Sequence, residues 1–203
     1  MAHLSASYHL IKGNYFIHRL MIGVLALGLL GAGVGYYQKR SHYRFTTVTE
    51  GEVYQSGAMP KEALRDKVIQ YGIRAVIDLR RPRNNVDEEH AVLTQLGVKH
   101  FNLPSQQIPK DEVVKKFLEI MDHPEYRPVL IHCEHGIGRA VLFTAIYRME
   151  YEGWSNEQAR RAAYLQSTFG SSFKPNEEKA KFIHEYVPRW RLQKKSSSST
   201  DSP

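Results

Sequence analysis

Past residue 45, short compact apolar runs alternate with longer stretches in which apolar positions recur every three or four residues. The first pattern is that of buried strands, the second that of amphipathic helices. Strands are expected at Glu52–Ser56, Ala75–Leu79, Val98–Leu103 and Pro128–His132. Helices are expected from Pro60 to about Tyr71, over Val86–Leu96, from Pro109, from Arg139 to about Glu152, after Ser155, and from Pro175 to about Tyr186. The helix from Pro109 carries Val113, Val114, Phe117, Leu118 and Met121 on one side. Gly72, Gly97 and Gly153 stand where helices stop, and Ser155 with Gln158 forms a capping box. Strands alternating with helices predict an α/β fold, a central and mostly parallel sheet flanked by helices.

The N-terminal pattern is different. No residue between Arg19 and Lys39 is charged, and Leu20–Tyr37 is an apolar run at the lower end of bilayer-spanning length. Tyr36 and Tyr37, then Lys39 and Arg40, suit the interface. A cleaved signal peptide would have a shorter leader and a small-residue cleavage site, which this stretch lacks. The expected organisation is an N-terminal segment 1–19, a transmembrane helix 20–38, a folded domain 45–190 and a disordered tail 191–203. Localisation is then single-pass membrane. Lys12 and Arg19 balance Lys39, Arg40 and Arg44, so flanking charge leaves the side of the membrane open. Gly31 and Gly35 form a G-x-x-x-G, a route to a homodimer, although glycines are also simply common in membrane helices.

Composition narrows the function. The 203 residues carry a net charge of +7 and one cysteine. A single cysteine excludes an intrachain disulfide framework and multi-cysteine zinc sites. Residues 1–44 hold five basic residues and no acidic one, and the tail from Arg189 holds four basic residues against Asp201. The body from 45 to 188 therefore carries 19 basic and 20 acidic residues, which argues against nucleic acid as a partner.

The densest chemical signal is His132-Cys133-Glu134-His135-Gly136-Ile137-Gly138-Arg139, between an expected strand and an expected helix. Such a loop lies at the carboxyl end of a strand, where open α/β sheets bind ligands. Its amides and the helix N-terminus can hold an anion, and the same field favours a thiolate at Cys133. Two glycines allow unusual backbone angles there. Cys133 then reads as a nucleophile, Glu134, His135, Gly136, Ile137 and Gly138 as the phosphate-binding backbone, and Arg139 as a planar fork for phosphate oxygens. An inert buried thiol is the structural alternative. His132 is expected to support Cys133 by hydrogen bonding. A metal held by His132, Cys133 and His135 is disfavoured, since neighbours on one tight loop rarely converge on one ion. Asp78 ends a strand on the same edge, either holding a loop or serving the site. Arg80, Arg81 and Arg83 either attract an anion or form a solvated charge run.

HCEHGIGR resembles the His-Cys-x5-Arg signature of protein tyrosine phosphatases. With VYQSGAMP, AVIDLRRP and LFTAIYRMEYEGWSNEQA, residues 45–170 resemble the bacterial dual-specificity-phosphatase-like group. The resemblance implies a cysteine-dependent phosphatase fold and metal-independent, cofactor-free hydrolysis through a phosphocysteine. The implied partner is a phosphorylated protein, phosphotyrosine favoured, or a small aryl phosphate. Some members carry export or membrane segments, which leans the catalytic domain to the periplasmic side. Two positions depart from the pattern. Ala140 stands where the family usually has Ser or Thr, which implies slower breakdown of the phosphocysteine. The stretch Leu103–Pro109 lacks the family's acidic residue, leaving Asp111, in the first turn of a helix, as the nearest general acid; there it also suits the helix dipole. A phosphate-binding pseudophosphatase and a rhodanese-type sulfurtransferase are the alternatives.

Overall fold

The computed structural model describes residues 18–34, 43–82, 84–167 and 172–198. The chain forms two compact units, Met1–His42 and Tyr43–Pro203. In the first, residues 18–34 form helix α1, whose apolar side chains, among them Leu20, Leu25 and Leu30, are exposed.

Among the described residues no helix is long and apolar enough to cross a membrane, which corrects the transmembrane reading of 20–38. At about 1.5 Å rise per residue the described residues 18–34 extend about 25 Å, less than a hydrocarbon core of about 30 Å. Gly23, Gly28, Gly31 and Gly33 also dilute its apolar surface. The single-pass membrane localisation, its periplasmic lean and the homodimer through Gly31 and Gly35 rested on that span and fall with it. Residues 35–38, Gly35 included, lie outside the described residues.

The second unit is a five-stranded sheet in the order β1-β2-β5-β3-β4. The strands are β1 (Thr46–Thr49), β2 (Val53–Gly57), β3 (Ala75–Asp78), β4 (Lys99–Asn102) and β5 (Val129–Cys133). Only β1 runs antiparallel, along β2; β2, β5, β3 and β4 pair in parallel. The helices are α2 (Lys61–Tyr71), α3 (Asn84–Gln95), α4 (Asp111–Met121), α5 (Arg139–Tyr151), α6 (Asn156–Gln166), α7 (Glu178–Glu185) and α8 (Arg189–Ser198).

Strand alternation feeds two cores. On one face Ala75, Ile77, Leu79, Val129, Ile131 and Cys133 pack with Val114, Phe117 and Met121 of α4 and Leu142, Phe143 and Ile146 of α5. Phe117 meets Phe143 edge to face at 5.0 Å. On the other face Tyr54, Val76 and Leu130 pack with Leu64 and Val68 of α2 and Leu93 of α3. Helix α5 has nine buried residues from Ala140 to Met149, so it is covered almost all round.

Strand β1 and helix α8 were not expected. Strand β1 is half-exposed at the sheet edge and has no apolar run to betray it. Helix α8 replaces most of the expected disordered tail. Its start is pinned by Trp190 Nε1 donating to the Met149 carbonyl (2.8 Å), Arg189 paired with Asp122 (2.8 Å) and Arg191 donating to Asn156 (2.8 Å).

Candidate active site

Strand β5 delivers Cys133 to the carboxyl edge of the sheet, and α5 starts at Arg139, leaving 134–138 as the connecting loop. Cys133 is 3% exposed at the floor of this loop. Three contacts tie the loop's carbonyls outward. The Glu134 carbonyl accepts from Ala58 N (3.2 Å), that of His135 from Arg44 Nη1 (2.9 Å), and that of Gly136 from Gln55 Nε2 (3.2 Å). In a trans peptide the following N–H points the opposite way. The amides of His135, Gly136 and Ile137 therefore turn into the loop's concavity, the arrangement that binds an anion. Gln55 is itself buried and oriented by the Thr144 hydroxyl, which donates to its Oε1 at 2.9 Å. Gly136 adopts φ +66° in contact with β2.

Arg139 is aimed by the neighbouring strand and loop. Its Nη1 donates to the Leu79 carbonyl at 2.6 Å and to that of Ser105 at 3.4 Å. These bonds occupy one end of the guanidinium, and the fork has further donors on Nε and Nη2. Arg139 lines a cleft of ≈1070 Å³ with Arg81, Gln106, Gln107, Glu134, His135 and Glu178. Ala140 is fully buried beneath it.

Strand parity sends the residue before the cysteine to the other face. His132 lies opposite Asp78 in register, and His100 opposite Val76, so all three side chains face α3. There Arg80 clamps Asp78 through Nε (2.9 Å) and Nη2 (2.9 Å) and reaches Glu89 at 2.6 Å. His132 Nε2 lies 2.8 Å from Glu89 Oε1, and His100 Nε2 lies 3.7 Å from the same oxygen. Burial pushes the Asp78 carboxyl up, but the Arg80 hydrogen bonds and the charges of His132 and Arg80 outweigh it, holding it below 3.8. Burial pushes the His100 imidazole below its ordinary 6.5, against the pull of Glu89 and Asp78.

Asp78, Glu89 and His132 present ligand-type atoms within 4.8 Å of one another. A divalent cation fits this set poorly, because the Arg80 guanidinium already lies bonded to both carboxylates. Cys133 faces the opposite core, so it forms no cluster with His132.

The structure thus brings together Cys133, the 134–138 loop and Arg139, with His132 behind them. It does not bring Asp111 to them. Asp111 opens α4 and lines a separate apolar groove with Val114, Leu118, Phe182, Tyr186 and Val187. Asp78 holds the turn after β3, its Oδ1 accepting from Arg80 N at 2.8 Å. Arg80 is buried in that clamp, Arg81 lines the cleft, and Arg83 lies outside the described residues.

Sequence reasoning missed Glu89, His100, Gln55 and Arg44. Glu89 had a legible signal: it falls three residues after Val86 and four before Leu93, inside the buried stripe of α3. The others are set by contacts distant in sequence.

The family model described as DSP-PTPase phosphatase fused to NAD+ kinase matches residues 36–182. The chain belongs to this family. As a DSP-PTPase it is 33% identical over 75 residues to the dual specificity protein phosphatase TpbA of Pseudomonas aeruginosa, covering 36% of this chain and 34% of that protein. It is 30% identical over 91 residues to a tyrosine-protein phosphatase of Autographa californica nuclear polyhedrosis virus, covering 43% of this chain and 54% of that one. The chain therefore spans about a third to a half of the length of these curated relatives. The DSP-PTPase fold resembles the core catalytic domain of the PP-IP phosphatase SIW14 from S. cerevisiae, with TM-score 0.61 and 20% identity over 76% of this chain and 92% of that one. It also resembles the crystal structure of P. aeruginosa TpbA, with TM-score 0.53 and 21% identity over 68% and 81%. At these identities the likeness is one of fold.

Proposed function

We propose that this chain is a cysteine-dependent phosphatase that hydrolyses phosphomonoesters on proteins, phosphotyrosine favoured, or small aryl phosphates. The observation that carries the reading is the loop 134–138, whose carbonyls are bonded outward around a buried Cys133 with Arg139 alongside. The Cys133 sulfur attacks phosphorus, the bond to the leaving oxygen breaks, and that oxygen takes up a proton. Water then attacks the phosphocysteine, releasing inorganic phosphate and returning the electron pair to sulfur. Loop amides and Arg139 stabilise the negative charge on the equatorial oxygens in both steps. With Asp111 in another groove, the leaving oxygen has little help from that carboxyl, and aryl phosphates, whose oxygens leave as weaker bases, are the better substrates. The open cleft leaves room for an aromatic ring and flanking peptide. The names of the two curated relatives point the same way.

The test is hydrolysis of para-nitrophenyl phosphate by the full chain. Turnover is expected, and Cys133→Ser should reduce it to background while retaining binding of inorganic phosphate. Wild-type protein that binds phosphate without turnover would leave the pseudophosphatase reading, and sulfur transfer from thiosulfate to cyanide the rhodanese one.

A further inference from the structure

Lys179 is the second residue of α7, far in sequence from the signature loop. It nevertheless reaches the loop's last residue. A Cβ built on Gly138 would lie 3.6 Å from Lys179 Cε and 3.8 Å from its Nζ, beside Gln107 Oε1 at 3.4 Å. Gly138 is the N-cap of α5, the position next to Arg139. The end of the Lys179 side chain therefore stands within van der Waals reach of the residue that precedes Arg139.

Two further observations concern charge. Among the described residues Lys179 makes no ion pair with a carboxylate, although Glu177 and Glu178 adjoin it in sequence. Burial pushes its ammonium below the ordinary 10.5, while the charges of Cys133, Glu177 and Glu178 pull the other way and that of Arg139 adds to the burial. A half-buried cation thus stands beside Gly138, next in sequence to the signature arginine, and feels the charges of Cys133 and Arg139. Two cations at such range repel each other, and an anion between them removes the cost. The loop amides define where that anion sits.

We infer that Lys179 is the second cation of the phosphate site, pairing with the Cys133 sulfur when the loop is empty and with a non-bridging phosphoryl oxygen when it is filled. This rests on the phosphate-loop reading above and adds a residue outside the signature. A compact ammonium suits the role because it serves as a point charge, complementing the planar Arg139 fork. Glu134 and Glu178 line the cleft beside Arg139 but are exposed, and their negative charge opposes a bound dianion.

The experiment measures inorganic phosphate binding by titration calorimetry and hydrolysis of para-nitrophenyl and phenyl phosphate, on the full chain and on Lys179→Met and Lys179→Arg. Losing one charge-assisted hydrogen bond is expected to weaken phosphate binding by about tenfold to hundredfold in Lys179→Met. Lys179→Arg should recover most of it, and the loss in kcat/KM should be equal for the two substrates. Unchanged phosphate binding in a folded Lys179→Met would overturn the inference. So would a loss that grows for phenyl phosphate and is not recovered by arginine, since that marks a proton donor. Binding is read without turnover, so an inactive wild-type protein would refute the phosphatase reading while leaving Lys179 tested.

Discussion

At Gly136 the backbone lies at φ +66°, and a Cβ there would sit 2.5 Å from Gly57 N and 2.7 Å from Ser56 C. Both neighbours are backbone of β2, so neither can rotate away. Gly136→Ala must displace the loop or the strand and also hold a left-handed backbone, at about 1–2 kcal/mol for the conformation alone. The expected result is a folded protein with a misplaced amide cradle. A shift of about 1 Å is enough for roughly a hundredfold loss in rate. Circular dichroism beside para-nitrophenyl phosphate kinetics checks this, and unchanged kinetics would refute the close packing. The glycine was visible in the sequence as part of the signature. Its reason was not, because Gly57 lies 79 positions earlier in the chain.

Among the elements, β3, β5 and α3 enclose a buried ionic cluster behind the nucleophile. Asp78 is fully buried and Arg80 is 7% exposed, so the pair is shielded from solvent. Removing one partner of such a pair costs about 3–5 kcal/mol, because a buried charge is left uncompensated. Asp78→Asn should therefore lower the unfolding free energy by that amount, measured by urea denaturation; a change within about 0.5 kcal/mol would show the clamp to be a surface-like pair. The elements themselves were largely legible. The AVID and PVLI runs became β3 and β5, Gly72 capped α2 at φ +60°, and the Ser155–Gln158 box formed as expected. What escaped was β1, an edge strand without an apolar run, and α8, which is held by Trp190 and Arg189 contacts to distant parts of the chain.

For the whole molecule, the cluster sets a pH dependence. His100 has a folded value below its ordinary 6.5, so below that pH the unfolded chain binds a proton that the folded one does not. Stability therefore falls as pH drops from about 6.5 towards the lower folded value. Asp78 has a folded value below 3.8; its contribution is complete above that pH and is lost as pH falls towards the folded value. The melting temperature should decline in two stages on acidification, and His100→Gln should flatten the first. A melting temperature constant from pH 7 to pH 5 would contradict the buried imidazole. Taken alone, the sequence determined the α/β alternation, the loop between β5 and α5, and Cys133 with Arg139 at its ends, because each rests on local period and on neighbours within a few residues. It also suggested a membrane span, which no helix among the described residues is long and apolar enough to make. Only the tertiary structure decided which carbonyls turn outward, which face receives His132, where Asp111 ends up and that Lys179 lies beside Gly138. These depend on sheet order and on contacts between residues tens of positions apart, which no local pattern encodes.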